Sequence, residues 1–398
     1  MEQAPYVPVE CPACYSPRVT SVVASGAEAL GPSAARGLRP FAEFLLVGGS
    51  TLVLFPLAWL AERGVGLDTA ELAVGFTTFH AAHLVNDPHF SVTYLLFYRN
   101  ARARLFGREF EPRQRLRYLF AGVVAPAALG AWTVLAIAHG SSRALGALIE
   151  LMFALVGWHY VKQGFGVLLV LSARRGVRYQ SHERRALLFH ALAGAAFAWA
   201  NPASPRREVE EKGVVYTALA HPRSLELVTL AAFALSALVL AAVLAQKARR
   251  ERRLPPLAPL CGYLVAIWLW SVFSSIDPLM LYVIPALHSL QYLYFVWLLR
   301  RNESLEAEAP PHFGRPTQER LLVLAVSAVA LGILQFHFAP SLLDWARWLV
   351  PHHTPAKLAD LGPTPWFAGL FALVNIHHYL MDTVIWRREN PETRYLYH

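Results

Sequence analysis

The sequence predicts an all-α polytopic membrane bundle of about ten transmembrane helices, with both termini in the cytoplasm. Three observations predict it. The 398-residue chain is 55% hydrophobic and only 16% charged, with a mean hydropathy of +0.36, whereas a soluble domain carries nearer 25% charge. Its apolar residues gather in ten long runs, most of them near the roughly 20 residues that a spanning helix needs. Lysine and arginine alternate from loop to loop, as the cytoplasmic bias of basic residues requires.

The ten runs are Phe41–Leu60, Thr69–Tyr98, Tyr118–Ala138, Leu145–Leu171, Ala186–Trp199, Leu225–Ala245, Leu257–Phe273, Pro278–Leu299, Leu321–Phe338 and Pro365–Trp386. The second is long enough to tilt or to overrun the interface, and the fifth is short. Loop charge supports counting it. The segments Arg99–Arg117, Ser172–Arg185, Gln246–Arg253, Arg300–Arg320 and both tails carry 27 basic residues, against 8 in the intervening loops. The loops before the fifth run and after the sixth are both basic, so an even number of crossings separates them.

This gives a cytoplasmic tail (1–40), a transmembrane domain (41–386) and a second cytoplasmic tail (387–398). The first 40 residues hold several prolines and no long apolar run, so the first span is expected to be an uncleaved anchor. Ser341–Val350, with Trp345 and Trp348, is expected to lie along the outer interface. Arginine-rich, lysine-poor, alanine-rich usage resembles a GC-rich bacterial gene, which makes a bacterial inner membrane the expected location. The charge of +9 is scattered over six segments, so nucleic acid is not an expected partner. Cys11, Cys14 and Cys261 are the three cysteines, and no disulfide framework follows from them. Cys11-Pro-Ala-Cys14 has the form of half a zinc knuckle, although a structural zinc site wants four ligands.

The chemistry is expected at seven intramembrane histidines: His80, His83 and His89 in the second run, His159 in the fourth, His288 in the eighth, and His377 and His378 in the tenth. Ionisable side chains inside a bilayer are costly and face a bundle interior or cavity, and imidazole is the commonest side-chain metal ligand. All four runs are even-numbered and therefore parallel. Counting back from each cytoplasmic arginine at about 1.5 Å per residue puts His83, His89, His159, His288 and His377 roughly 15 to 24 Å deep in a core about 30 Å thick. His80 lies a turn further out.

Polar companions share the histidines' faces, since residues three or four apart are helix neighbours. His159 is followed by Lys162 and Gln163, His288 by Gln291 and Tyr292, and His378 by Asp382. Lys162, Asp87 and Asp382 are the expected catalytic or substrate-contacting groups. Gln163, Gln291 and Tyr292 are expected beside the cofactor, orienting imidazoles. Asn86-Asp87-Pro88-His89 breaks the second run's hydrogen bonding at the Leu84 carbonyl, which is tolerated at membrane depth where backbone lines a cavity. A lone membrane histidine is often interhelical glue. His190 and His337, near span ends, are expected to be interfacial, and Trp386 a packing or belt residue. No Walker loop, GxGxxG, GxSxG or HExxH motif occurs.

His80-x-x-His83, the His377-His378 pair and the isolated His159 and His288 resemble the ligand pattern of the histidine-rich integral-membrane iron oxygenases. That group includes fatty-acid desaturases, alkane hydroxylases and Brp/Blh-type β-carotene oxygenases. The resemblance implies non-haem iron, mono- or dinuclear, acting on a lipid or isoprenoid substrate drawn from the bilayer, with a redox partner. The likeness is confined to these histidines, and the HxxxH and HxxHH boxes of desaturases are absent. Imidazole also suits zinc, copper and nickel. Two other classes fit parts of the pattern. A haem-b carrier would use two facing histidines, and a proton- or metal-coupled transporter would use the buried Asp and His residues beside a broken helix.

Overall fold

The structure, a computed structural model, describes residues 40–108, 110–201, 208–274, 277–349 and 361–397. The chain divides into Met1–Phe41 and Ala42–His398, and the following concerns the second unit. Cys11 and Cys14 lie outside the described residues, and Cys261 is a free thiol.

The described residues are almost entirely helical. A π-helical turn at Leu45–Gly49 leads into α1 (Thr51–Val65). Then come α2 (Leu67–Ala82), α3 (Asn86–Tyr98), the short α4 (Ala101–Phe106), α5 (Pro112–Ala138), α6 (Ser142–Arg174) and α7 (Ser181–Ala200). After these come α8 (Arg223–Glu251), α9 (Leu257–Val272), α10 (Pro278–Glu308) and α11 (Thr317–Ile333). The last runs through a π-helical turn, Leu334–Phe338, into Ala339–Leu349, and α12 is Pro365–Ile385.

Five helices among the described residues are long and apolar enough to cross a membrane: α5, α6, α8, Leu279–Glu308 of α10, and Thr317–Ala346. The bent pair Pro40–Gly49 and Thr51–Val65, which meet at 57°, would make a sixth. Each of the ten apolar runs is largely helical, but several depart from a simple span. The second is two helices, not one. It breaks at His83–Val85, where the chain turns into α3 with Asn86-Asp87-Pro88 as its first turn. Proline is tolerated there because first-turn N–H groups have no helical partner, and Asp87 faces the positive end of the helix dipole. Glu183, Arg184 and Arg185 occupy the start of α7, and α12 carries Asn375, His377, His378 and Asp382 within 21 residues. Such side chains lower a helix's hydropathy because they have work inside the protein.

One hairpin interrupts the described helices. Glu208–Glu211 (β1) pairs antiparallel with Val214–Thr217 (β2) across Lys212-Gly213, both at positive φ (53° and 78°), the geometry of a two-residue hairpin turn. Val214 and Tyr216 are buried against α6 while Val215 and Thr217 face out. This loop is too short in apolar residues to announce itself by hydropathy. Ala339–Leu349 is held to the bundle: both Asp344 carboxylate oxygens accept first-turn N–H bonds of α12, from Trp366 and Phe367 at 3.0 Å each. Trp345 is exposed.

The core is built where α3, α5, α6, α10, α11 and α12 meet, and three contacts fix the helices that matter. Gly332 of α11 abuts α3 so closely that a Cβ would stand 2.8 Å from the Cβ of Asp87. Gly262 of α9 admits the Val47 carbonyl, to which its Cβ would come within 2.5 Å. Arg104, 1% exposed, donates to the terminal carbonyls of α3 at Leu96 (3.0 Å) and Phe97 (2.9 Å) and pairs with Glu392 at 2.6 Å. The stretch after α12 therefore packs onto the bundle. Pro391–Leu396 forms a 3-10 turn whose carbonyls at Tyr395 and Leu396 accept from Asn302 and Arg174, both at 2.8 Å.

Candidate metal centre

Four helices each bring one imidazole into a single buried cluster, three of them at mutual ligand distance and His288 joined through His159. His89 comes from α3, His159 from α6, His288 from α10 and His378 from α12, with exposures of 1, 4, 2 and 0%. The Nε2 of His159 lies 3.1 Å from the Nε2 of His288 and 3.3 Å from the Nε2 of His378. Ring centroids of His89 lie 5.0 Å from His288 and 4.5 Å from His378. One ring nitrogen each of His89, His159 and His378 falls within 4.8 Å of the others. Two nitrogens bonded to one ion at 2.0–2.1 Å must stand about 2.9 Å apart for a right-angle pair and about 3.4 Å for a tetrahedral one. The two observed edges fall inside that window.

Ser289 Oγ lies 3.1 Å from Oδ1 of Asn86 and 2.9 Å from Nδ1 of His89, which occupies that ring nitrogen. The other, Nε2, is buried and without a hydrogen-bond partner among the described residues. Buried polar atoms of that kind are rare and costly. A cation at the cluster would satisfy it, so the donor set fits a metal.

Asp382, one turn after His378, supports the cluster. Its Oδ1 accepts from Tyr292 Oη at 2.7 Å and Trp386 Nε1 at 3.2 Å. Its Oδ2 stands 3.4 Å from His378 Nε2 and 3.8 Å from His159 Nδ1. Thr93 Oγ1 touches the Tyr292 hydroxyl at 2.6 Å. At His159 the carboxylate stands on the ring nitrogen away from the cluster, where it fixes ring orientation, whereas at His378 it stands on the cluster-facing nitrogen itself. Tyr379 stacks on His159 with centroids 4.5 Å apart, and Tyr160 lies 4.3 Å from His288.

Gln163 and Gln291 brace helices and do not touch an imidazole nitrogen. Gln163 Nε2 donates to the His288 carbonyl (3.1 Å) and to Gln291 Oε1 (2.8 Å), and Gln291 Nε2 donates to the Val47 carbonyl. They tie α6 and α10 to the π-helical turn at Leu45–Gly49.

The remaining candidates lie elsewhere. His377 faces the opposite side of α12 from His378, since successive residues do not share a helix face. Its Nε2 meets the Ala121 carbonyl at 2.9 Å and must be the donor, which leaves Nδ1 to accept from Tyr94 Oη, also at 2.9 Å. His80 and His83 sit on the far side of the break at residues 83–85, away from His89. His80 is exposed and packs against Phe76 and Phe79. His83 belongs to a second, half-buried group. Asp87 Oδ2 lies 2.8 Å from His337 Nε2 and 3.4 Å from His83 Nδ1, an arrangement that could also hold an ion. Lys162 reaches neither Asp87 nor Asp382, and its Nζ lies 6.0 Å from the Phe165 ring centroid.

Ser289, Thr93, Trp386 and His337 are the participants that spacing does not single out. His337 carries the same signal as the others, an ionisable group in an apolar run. His190, by contrast, is buried glue, bonded to Ser236 Oγ at 2.9 Å and to Trp268 Nε1 at 3.2 Å. Comparison of the chain with protein-family models, with curated proteins and with solved structures finds no match.

Proposed function

We propose that this chain is a membrane-embedded metalloenzyme, an iron-dependent oxygenase or desaturase acting on a lipid or isoprenoid. In this reading His89, His159, His288 and His378 hold the metal. The observation that carries it is the buried Nε2 of His89, without a hydrogen-bond partner among the described residues, beside imidazoles whose Nε2 atoms lie 3.1 and 3.3 Å apart. Iron is chosen by analogy with the histidine-rich membrane oxygenases, and when bound it would supply dioxygen activation. The chain's own part is to hold the imidazoles, to anchor His159 through its Nδ1 against Asp382, and to pack Tyr160, Tyr292 and Tyr379 around them. The clustering favours a bare ion over haem b. Four of the ring pairs have centroids only 4.5 to 5.0 Å apart, so that although His89 and His159 stand 6.3 Å apart, the rings of His288 and His378 crowd the space a flat macrocycle would fill.

Metal analysis with an absorption spectrum, on protein purified without chelator, tests this. About one or two non-haem metal ions per chain are expected, with no Soret band. Protein that stays metal-free after iron reconstitution would sink the reading. A coupled transporter would then be favoured, on the half-buried Asp87–His83–His337 group beside the broken helix.

The topology we propose has ten crossings in a bacterial inner membrane, with both termini on the arginine-rich cytoplasmic side. Reporter fusions after Arg253 and after Arg301 should read cytoplasmic, and one near Lys212 periplasmic. A periplasmic signal after Arg253 would overturn the count.

A further inference from the structure

A cavity of about 1150 Å³ reaches the histidine cluster from one end of the bundle, and its walls change character along the way. At the inner end are His159, Tyr292, Tyr379 and Asp382. The flanks are apolar, from Trp158, Phe165 and Leu169 to Phe295 and Leu396. Lys162, Arg178, Arg184, Arg387 and Arg388 supply five cations to the lining, against the single acid Asp382 among the described residues there.

Several arginines elsewhere are ion-paired, Arg104 with Glu392, Arg175 with Glu43, Arg250 with Glu183 and Arg394 with Glu306. None of the five cavity cations has a carboxylate at ion-pair distance among the described residues, and Arg387 Nε is satisfied by the Thr383 carbonyl at 2.9 Å. Asp382 is engaged with Tyr292, Trp386 and the imidazoles. Unpaired cations converging on one concave surface raise its potential and draw an anion, and guanidinium suits a carboxylate or phosphate. The cytoplasmic bias of basic residues accounts for arginines at this end of the bundle; what points to a ligand is that they border an apolar passage that ends at the buried histidines.

We infer that the cavity receives a single-chain amphiphilic anion. Its carboxylate or phosphate head sits at the arginine end of the lining, where Arg178, Arg184, Arg387 and Arg388 stand, and its hydrocarbon chain runs inward past Lys162 to Tyr379 and His159. The volume is at the upper end for small-molecule pockets, enough for a long chain. Arg387 follows Asp382 by five residues, roughly 7 to 8 Å of helix rise. The carbon held at the cluster is therefore several bonds from the head, and chemistry there would fall along the chain and spare the head. This deepens the metalloenzyme reading for the fate of the chain, but binding itself does not depend on it.

The test uses the full-length protein in phosphatidylcholine nanodiscs. Palmitate and hexadecyl phosphate are the anionic probes, hexadecanol the neutral one, and inorganic phosphate the head alone. Both anions should bind at least about tenfold more tightly than hexadecanol or inorganic phosphate. Arg387→Gln/Arg388→Gln should weaken the anions about tenfold and leave hexadecanol unchanged, while Arg387→Lys/Arg388→Lys retains most of the affinity and guards against misfolding. Equal binding of palmitate and hexadecanol, or glutamine variants that bind palmitate like the wild type, would overturn the inference even in a protein that holds metal. Palmitate bound as expected by a chain that takes up no metal would support the cavity and reject the metalloenzyme reading alone.

Discussion

His159→Ala is expected to abolish metal binding and activity together, while His377→Ala retains both. His159 Nε2 is the shared vertex of the cluster, at 3.1 Å from one imidazole and 3.3 Å from another, so its removal deletes two ligand edges at once. The loss should exceed the 10- to 100-fold that follows removal of a supporting hydrogen bond, leaving less than about a tenth of the wild-type metal content. His377 is the sharper half of the experiment. It is as buried as the cluster histidines and adjoins His378 in sequence, yet both its nitrogens are engaged, by Tyr94 and Ala121. Losing it costs packing and two hydrogen bonds, each worth about 1 kcal/mol net, but no ligand. Metal analysis on both variants checks the pair. Loss of metal in His377→Ala with retention in His159→Ala would refute the assignment.

That contrast also marks how far the sequence can be read. The apolar runs and the polar residues within them are visible because burial in lipid or protein demands hydropathy, and each run is largely helical. Helix rise from the arginine boundaries puts His83, His89, His159, His288 and His377 in one layer, and the structure brings three of them, His89, His159 and His288, together with His378, while His377 and His83 join other partners. Facing is not legible. Which of His377 and His378 turns inward depends on how α12 rotates against α5 and α6, and no spacing within α12 carries that. Pro88 foreshadows the break at residues 83–85, but a single helix through the run would put His80 and His83 beside His89, and the turn carries them away. His337 is read from the sequence as interfacial because its partner, Asp87, lies 250 residues distant and is met only where Gly332 lets the two helices approach. Helical spacing puts Gln163 and Gln291 next to their histidines, but long side chains on facing helices find each other first.

Asp382 should behave as a support with graded consequences. In the metal-bound state His159, coordinating through Nε2, presents Nδ1–H toward Oδ2 of Asp382, now 3.8 Å away, and a carboxylate in that place raises ligand basicity and fixes the ring. Asp382→Asn keeps an acceptor for Tyr292 and Trp386 but removes the charge, so metal affinity is expected to fall about 10- to 100-fold and occupancy to return at excess metal. Asp382→Ala additionally strands the Tyr292 hydroxyl and the Trp386 indole N–H, each at about 1–3 kcal/mol if left unsatisfied in the interior, and should lower the melting temperature as well as affinity. Tyr292→Phe, which leaves the carboxylate and its histidine contacts in place, should be the mildest of the three. Titration of the metal-free proteins, read alongside their thermal melts, separates charge from packing. An asparagine variant that binds metal like the wild type would remove Asp382 from the centre. One that binds none at any metal concentration would make it a ligand in its own right, completing with the four histidines a five-donor set.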